Sequence, residues 1–97
     1  MNASRPASRA IRHNPERHRF ECIEEGHTCV LDYTLRGKQM TITYTGVPAA
    51  VGGRGIAAEL TQYALNTAQA NGWMVHPVCS YAVAYIRKHP EYQSLTV

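Results

Sequence analysis

The chain has 97 residues, 44% of them hydrophobic, and a formal net charge of +3. This length suits one domain and is too short for two, and the apolar fraction is sufficient for a packed core. The small positive charge favours an anionic ligand but is far below that of dedicated nucleic-acid binders, which disfavours nucleic acid as a partner. No apolar run approaches the about 20 residues of a membrane span, and the polar N-terminus lacks the pattern of a signal peptide. We therefore expect a cytoplasmic protein without a membrane partner.

The three cysteines, Cys22, Cys29 and Cys79, are expected to be reduced thiols. Their odd number argues against a disulfide framework. A zinc site built from them and His76 is an alternative, but the spacings Cys-x6-Cys and His-x2-Cys match no common zinc site. We expect no metal, and a reducing compartment.

The first 18 residues are polar and basic and contain two prolines. This composition predicts a flexible N-terminal arm over residues 1–18, with Ile11 as the first residue to dock on the fold. Residues 19–97 are expected to form a single domain. We expect the protein to be a monomer or a weak dimer.

The next part of the chain has the pattern of an antiparallel meander of three strands. Residues 20–24 form a short strand, and residues 28–35 alternate with the period of two. A glycine-containing turn leads to the returning strand, residues 39–47. In this third strand, Met40, Ile42 and Tyr44 are expected on one face and the intervening threonines on the other. Pairing should end at the proline that follows, because proline has no backbone N–H to donate.

The rest of the chain predicts a helix, a fourth strand and a second helix. From Ile56 apolar residues recur at helical spacing as far as the turn at Gly72. Residues 73–79 form the fourth strand, which should lie parallel to the third because a helix connects them. Ser80 is the expected N-cap of the last helix. The fold class is α/β (α+β), a twisted mixed sheet in which an antiparallel meander is followed by β-α-β-α.

Three glycines and Arg54 stand immediately before the first predicted helix, in the sequence GGRG. The first N–H groups of a helix have no internal partner and its dipole favours negative charge, so this turn predicts an anion site. Glycines let a phosphate approach the backbone, and Arg54 adds charge. The segment is neither a Walker loop nor a dinucleotide fingerprint. The alternative is that the glycines serve only the geometry of the turn.

The sequence from Gly52 to Ala57, GGRGIA, resembles the pyrophosphate loop of the Gcn5-related N-acetyltransferases, Gln/Arg-x-x-Gly-x-Gly/Ala. Gly55 and Ala57 match the pattern, whereas Gly52 stands where the family has Gln or Arg. The resemblance implies that backbone amides in this loop bind the pyrophosphate of acetyl-CoA, with Arg54 as a substitute for the missing side chain. The cofactor-binding residues that the resemblance implies are Val47, Gly53, Arg54, Gly55, Ile56, Ala57, Cys79, Tyr85 and Lys88.

The stretches VPAAVGGRGIAAELTQYAL and VHPVCSYAVAYIRKHPEY are similar to the minimal single-domain acetyltransferases of this family. The similarity covers residues 20–92. One departure concerns residues 44–48: members of this branch often carry His-Thr-Glu-Val-Pro where this chain has Tyr-Thr-Gly-Val-Pro. A histidine or glutamate base expected there is missing.

Two residues are the candidates for catalysis. Cys79 stands just before the last helix, whose N-terminus would lower the pKa of its thiol; the alternative is a small buried apolar residue. The resemblance places Tyr85 beside the position where larger relatives have a tyrosine that protonates the CoA sulfur; the alternative is a core tyrosine. Lys88 would reach the 3′-phosphate of CoA, or else lie on a solvated face.

The leading hypothesis is an acetyl-CoA-dependent N-acetyltransferase that acts on an amine acceptor. Acetyl-CoA would lie where the third and fourth strands separate, and the amine would attack either directly or after transfer of the acetyl group to Cys79. A CoA- or acyl-CoA-binding module without efficient turnover is the second hypothesis, because the base is missing. A nucleic-acid-binding module that uses the basic arm is the third.

Overall fold

The computed structural model describes residues 9–97, in which five strands form one mixed sheet against which two helices pack. The strands are β1 (Arg12–Asn14), β2 (Arg19–Glu24), β3 (His27–Arg36), β4 (Gln39–Gly46) and β5 (Met74–Pro77). The helices are α1 (Ile56–Asn71) and α2 (Ser80–Lys88), with short 3-10 helices at Ala49–Val51 and Pro90–Leu95. None of the helices in this part of the chain is both long and apolar enough to cross a membrane.

The strands lie in the sheet in the order in which they occur along the chain. The pairs β1–β2, β2–β3 and β3–β4 are antiparallel, and the pair β4–β5 is parallel. The predicted fold class and the parallel fourth strand of the sequence analysis are therefore confirmed.

The sheet begins earlier than the sequence predicted. Arg12–Asn14 lies within the segment expected to be a flexible arm, yet it forms β1 and pairs with β2. The ring of His13 stacks on Phe20 at 4.2 Å, and its Nε2 lies 2.6 Å from the hydroxyl of Tyr33. The arm boundary at residue 18 is thus wrong for these residues, because polar composition does not reveal an aromatic stack across strands. Residues 1–8 of the predicted arm lie outside the described residues.

One face of the sheet carries the core. Its fully or almost fully buried strand residues are Phe20, Cys22, Cys29, Leu31, Tyr33, Met40, Ile42 and Val75. Helix α1 covers them with the stripe that its periodicity predicted, which includes Ile56, Leu60 and Ala64. Because alternate residues of a strand point to opposite faces, the side chains between the core residues form a second face of the sheet.

A β-bulge in β4 changes which side chains face the helices. Tyr33 pairs with Ile42 but Asp32 pairs with Tyr44, so Thr43 is an extra residue in β4. Residues directly opposite each other share a face, so Tyr44 lies on the face of Asp32, away from the core. The expectation that Tyr44 shares a face with Met40 and Ile42 is therefore wrong.

Candidate functional site

The strands β4 and β5 separate at the end of their shared ladder. The last register pair is Ile42 with Pro77, and the Ile42 carbonyl accepts from the N–H groups of both Val78 and Cys79 at 3.0 Å. β4 then continues to Gly46 while the chain after β5 turns into α2. An opening results at the carboxyl ends of two parallel strands, where α/β sheets commonly bind ligands.

A cleft of about 260 Å³ lies beside this opening, at the start of α1. Gly55 is the N-cap of α1 with φ 80°, and no side chain among the described residues caps the free amides of the first turn. A Cβ placed on Gly53 or Gly55 would meet no atom of residues 9–97 within 4 Å, so this part of the chain leaves the space beside the backbone open. Free amides at a helix N-terminus beside open space fit an anion. The cleft is lined by Val47, Gly52, Gly53, Gly55, Ile56, Ala57, Ala58 and Tyr81.

A second cleft, of about 330 Å³, follows between α1 and α2. Ala58 and Tyr81 line both clefts and so join them along the two helices. Tyr81 was not among the predicted site residues, although its spacing of four from Tyr85 predicts that the two share a helix face. The second cleft is lined by Ala58, Glu59, Gln62, Tyr81, Ala84, Tyr85, Lys88 and His89.

Tyr85 is held in the wall of the second cleft by His89. The two rings stack at 4.0 Å, and His89 Nδ1 lies 2.8 Å from the backbone carbonyl of Tyr85. Since a carbonyl only accepts, Nδ1 of His89 carries the proton. Burial raises the pKa of the Tyr85 phenol above its usual value. The phenol therefore carries its proton near neutral pH, which a proton donor requires, but it holds that proton more tightly than an ordinary tyrosine does.

Cys79 lies at the floor of the opening and is itself the N-cap of α2. The prediction that Ser80 is the N-cap is wrong by one residue, because the helix begins at Ser80. Burial acts to raise the pKa of the Cys79 thiol, but hydrogen bonds from the Thr45 hydroxyl and from the N–H groups of Ala82 and Tyr81 outweigh it, so the pKa lies below its usual value. Cys79 Sγ is 3.5 Å from Thr45 Oγ1. The bulge that turns Tyr44 outward is what brings Thr45 to this side of the sheet.

Arg54 has partners other than the predicted phosphate. Its Nη1 lies 2.8 Å from a carboxylate oxygen of Glu25 and 3.2 Å from one of Glu24. The guanidinium thus faces the turn between β2 and β3. A direct contact with an anion in the first cleft would require it to leave these carboxylates.

The predicted site residues therefore lie in four places. Val47, Gly53, Gly55, Ile56 and Ala57 line the first cleft. Tyr85 and Lys88 line the second cleft. Cys79 lies in the opening between β4 and β5, and the Arg54 side chain points to the neighbouring turn.

The two departures from the branch pattern at residues 44 and 46 are physically coupled. A Cβ on Gly46 would lie 2.6 Å from the hydroxyl oxygen of Tyr44 and 2.8 Å from a carbon of its ring. A side chain at position 46 is thus incompatible with the observed place of Tyr44. Asp32, directly across from Tyr44, accepts a hydrogen bond from Arg19 at 2.7 Å. Because the Asp32 carboxylate is paired with Arg19, it is not free to act as a base.

This coupling predicts a non-additive pair of substitutions. Gly46→Ala should displace the Tyr44 ring and cost about 1 kcal/mol of unfolding free energy, the scale of a strained rotamer. In a Tyr44→Ala background the same change should be neutral or stabilising, because alanine restricts the unfolded chain. Urea denaturation of the four proteins measures the coupling. Additive effects would show that Tyr44 does not occupy the space above Gly46 in solution.

Within residues 9–97, no group of three or more His, Cys, Asp or Glu side chains is arranged to hold a metal ion. Cys22 and Cys29 face each other across β2 and β3, whereas Cys79 precedes α2. The alternative zinc site therefore has no geometric basis in this part of the chain.

Comparison with known proteins identifies a family and a similar fold. The family model described as GCN5-related N-acetyl-transferase matches residues 19–95. The chain belongs to this family. Its membership supports N-acetyltransferase activity in general, and acetyl-CoA is the typical donor in the family.

The fold of this chain is similar to that of a solved structure. That structure is the solution structure of a GCN5-like candidate N-acetyltransferase from Staphylococcus aureus, and the two share a TM-score of 0.71 and 21% sequence identity. The match covers 90% of this chain and 86% of the other. A comparison with curated proteins gives no significant match.

Proposed function

We propose that the protein transfers the acetyl group of acetyl-CoA to an amine. The observation that carries this proposal is the continuity of the site: an open cradle of backbone amides at the start of α1 adjoins the opening between β4 and β5, and Cys79 lies in that opening. Amides suit the pyrophosphate, and an opening at the strand ends suits the thioester. The family supplies the class of reaction.

In the proposed arrangement, the amides of residues 53–57 bind the pyrophosphate of acetyl-CoA. Lys88, in the second cleft, binds the 3′-phosphate. The free edge of β4 near Val47 accommodates the pantetheine arm. Each assignment uses a group that the described structure leaves accessible to a ligand of that chemistry.

The proposed reaction has two candidate routes. In direct transfer, the amine attacks the thioester carbonyl, the C–S bond breaks, the attacking nitrogen releases a proton to water, and the CoA thiolate takes up a proton. Tyr85, the predicted donor of that proton, lines the second cleft beside Lys88 and not the opening in which the thioester would lie, so its proton would have to reach the sulfur through water. In the two-step route, the Cys79 thiolate attacks first and releases CoA, and the amine then takes the acetyl group from Cys79. The lowered pKa of Cys79 supports the second route, because the thiolate is the nucleophile.

A CoA-binding protein without efficient turnover is the second candidate function. Tyr44 and Gly46 stand where a histidine or glutamate base is expected, and Asp32 is engaged by Arg19. Turnover of acetyl-CoA with a panel of amines, combined with calorimetric titration of CoA, separates the two. Binding with acetylated product supports the enzyme, whereas binding without product for any amine supports the second candidate.

A nucleic-acid-binding function predicts a different result from the acetyltransferase and from the CoA-binding protein. Affinity for an oligonucleotide would fall steeply with salt and would survive saturation with CoA.

We further propose a cytoplasmic location, because the three cysteines of the chain are free. The expected state as a monomer or a weak dimer stays a prediction.

Removal of the Arg54 charge is expected to weaken CoA binding by about 1–2 kcal/mol, the scale of one charge-assisted hydrogen bond. Arg54→Ala removes a positive charge beside the loop and leaves Glu24 and Glu25 without this partner. The loss should shrink as salt rises, since mobile ions screen exposed charges. Calorimetric titration at low and high salt measures it.

The matched variant is Glu25→Gln, which releases Arg54 from one carboxylate. It should tighten CoA binding where Arg54→Ala weakens it. A loss in Arg54→Ala that does not depend on salt would instead indicate that Arg54 stabilises the conformation of the loop.

A further inference from the structure

Arg9 makes three contacts that join the N-terminal segment to the glycine loop. Its Nε lies 3.1 Å from a carboxylate oxygen of Glu24 in β2, and its Nη1 forms an ion pair with Glu59 in the first turn of α1. Its Nη2 donates to the backbone carbonyl of Arg54 at 3.0 Å. The Arg9 side chain is only 19% exposed, so these contacts are partly shielded from water. The carboxylates of Glu24 and Glu59 thus bind the Arg9 guanidinium, and its remaining nitrogen, Nη2, binds the glycine loop.

The contact with the Arg54 carbonyl determines the direction of the next amide. In a trans peptide unit the C=O and the following N–H point in opposite directions. Since the carbonyl of Arg54 points to Arg9, the N–H of Gly55 points to the side away from Arg9. Gly55 lines the first cleft, and the space beside it is open.

The loop needs such an anchor because its own residues constrain it little. Gly53 and Gly55 both have positive φ, and glycine samples other backbone conformations at small cost. Rotation of the peptide unit between Arg54 and Gly55 would exchange the directions of its carbonyl and N–H. A carbonyl oxygen directed at the cleft would repel a phosphate.

We propose that Arg9 is a positioning residue for the cofactor loop. By holding the Arg54 carbonyl, Arg9 keeps the Gly55 N–H available to an anion in the first cleft. The inference rests on the proposed function for the identity of that anion, the pyrophosphate of CoA. It gives a residue of the supposed flexible arm a specific role in cofactor affinity.

The test compares Arg9→Met with Arg12→Met, which removes the same charge from the same segment. Arg9→Met keeps the apolar stem and removes every donor. It should weaken CoA binding about tenfold, the scale of one lost hydrogen bond to phosphate. The loss of affinity should persist between about 0.05 M and about 0.5 M salt. It is caused by a change in the direction of the Gly55 N–H, and mobile ions screen only the long-range attraction of the Arg9 charge. Any loss in Arg12→Met should be smaller and should disappear at the higher salt.

Two further measurements separate positioning from general stability. In steady-state acetyl transfer, Arg9→Met should raise KM for acetyl-CoA and leave kcat unchanged. Arg9→Gln, whose amide still donates to a carbonyl, should recover part of the affinity. The proposal is overturned if Arg9→Met loses no more affinity than Arg12→Met, or if its loss vanishes at high salt.

A measurement on the protein without CoA tests the role of Arg9 independently of the proposed function. The backbone amide resonance of Gly55 in the free protein should shift strongly in Arg9→Met and stay in place in Arg12→Met. If wild-type protein binds no CoA, the proposed function fails while this measurement still decides the role of Arg9. An unchanged Gly55 resonance in folded Arg9→Met would overturn the inference by itself.

Discussion

Gly55→Val is expected to abolish CoA binding while the protein still folds. The φ of 80° at Gly55 is unfavourable for a β-branched residue, which costs about 1–2 kcal/mol in the left-handed region. The added side chain would also occupy the open space beside the first amides of α1. A phosphate could then no longer approach these amides. Calorimetric titration of CoA measures the loss, and thermal denaturation measures the cost in stability.

The chain offers a matched control at the other end of the same helix. Gly72 follows α1 with φ 72°, and a Cβ there would also meet no atom of the described chain within 4 Å. Gly72→Val should therefore lose a similar amount of stability and keep its affinity for CoA. Equal affinities of folded Gly55→Val and wild type would show that the glycines serve the turn alone, and the cofactor assignment would fail.

In the two-step route, incubation with acetyl-CoA is expected to leave a labile acetyl group on the peptide that contains Cys79, whereas direct transfer leaves none. The thiol is the N-cap of α2, and its pKa lies below the usual value. The thiolate fraction, and with it the rate of acetyl capture, should therefore level off at a lower pH than for an ordinary cysteine. Mass spectrometry of a rapidly quenched digest detects the modification as a function of pH.

The other two cysteines are internal controls in the same experiment. Burial raises the pKa of Cys22 to about 11, and Cys29 is completely buried, so both should stay unmodified. In the two-step route, Cys79→Ala should lose nearly all turnover. A fully active Cys79→Ala would contradict that route and favour direct transfer. An inactive, folded Cys79→Ala whose parent protein traps no acetyl group would leave Cys79 as a proton donor or a positioning residue.

Features that depend on neighbouring residues could be predicted from the sequence. The bounds of α1, from Ile56 to Asn71, follow from helical periodicity and from a glycine that ends the helix. The parallel arrangement of β5 follows from the helix that connects it to β4. The glycine loop at the start of α1 follows from three glycines in four residues, and the family from the motifs around it. Each signal is local, so no knowledge of the partners in space was needed.

Features that depend on pairing between distant residues required the tertiary structure. The extra residue Thr43 can be recognised only when β4 is aligned with β3, and it determines that Thr45, not Tyr44, faces Cys79. In strand β1, the ring of His13 stacks on Phe20 of the neighbouring strand β2. The composition of residues 1–18 is that of a solvated arm and does not indicate this contact. Arg9 and Arg54 are long, charged side chains whose partners are chosen by the fold from several carboxylates. The sequence by itself thus determined strands β2 to β5, both α-helices, the glycine loop and the family, because these follow from local sequence patterns. The directions of the site's side chains were decided by strand register and long-range ion pairs.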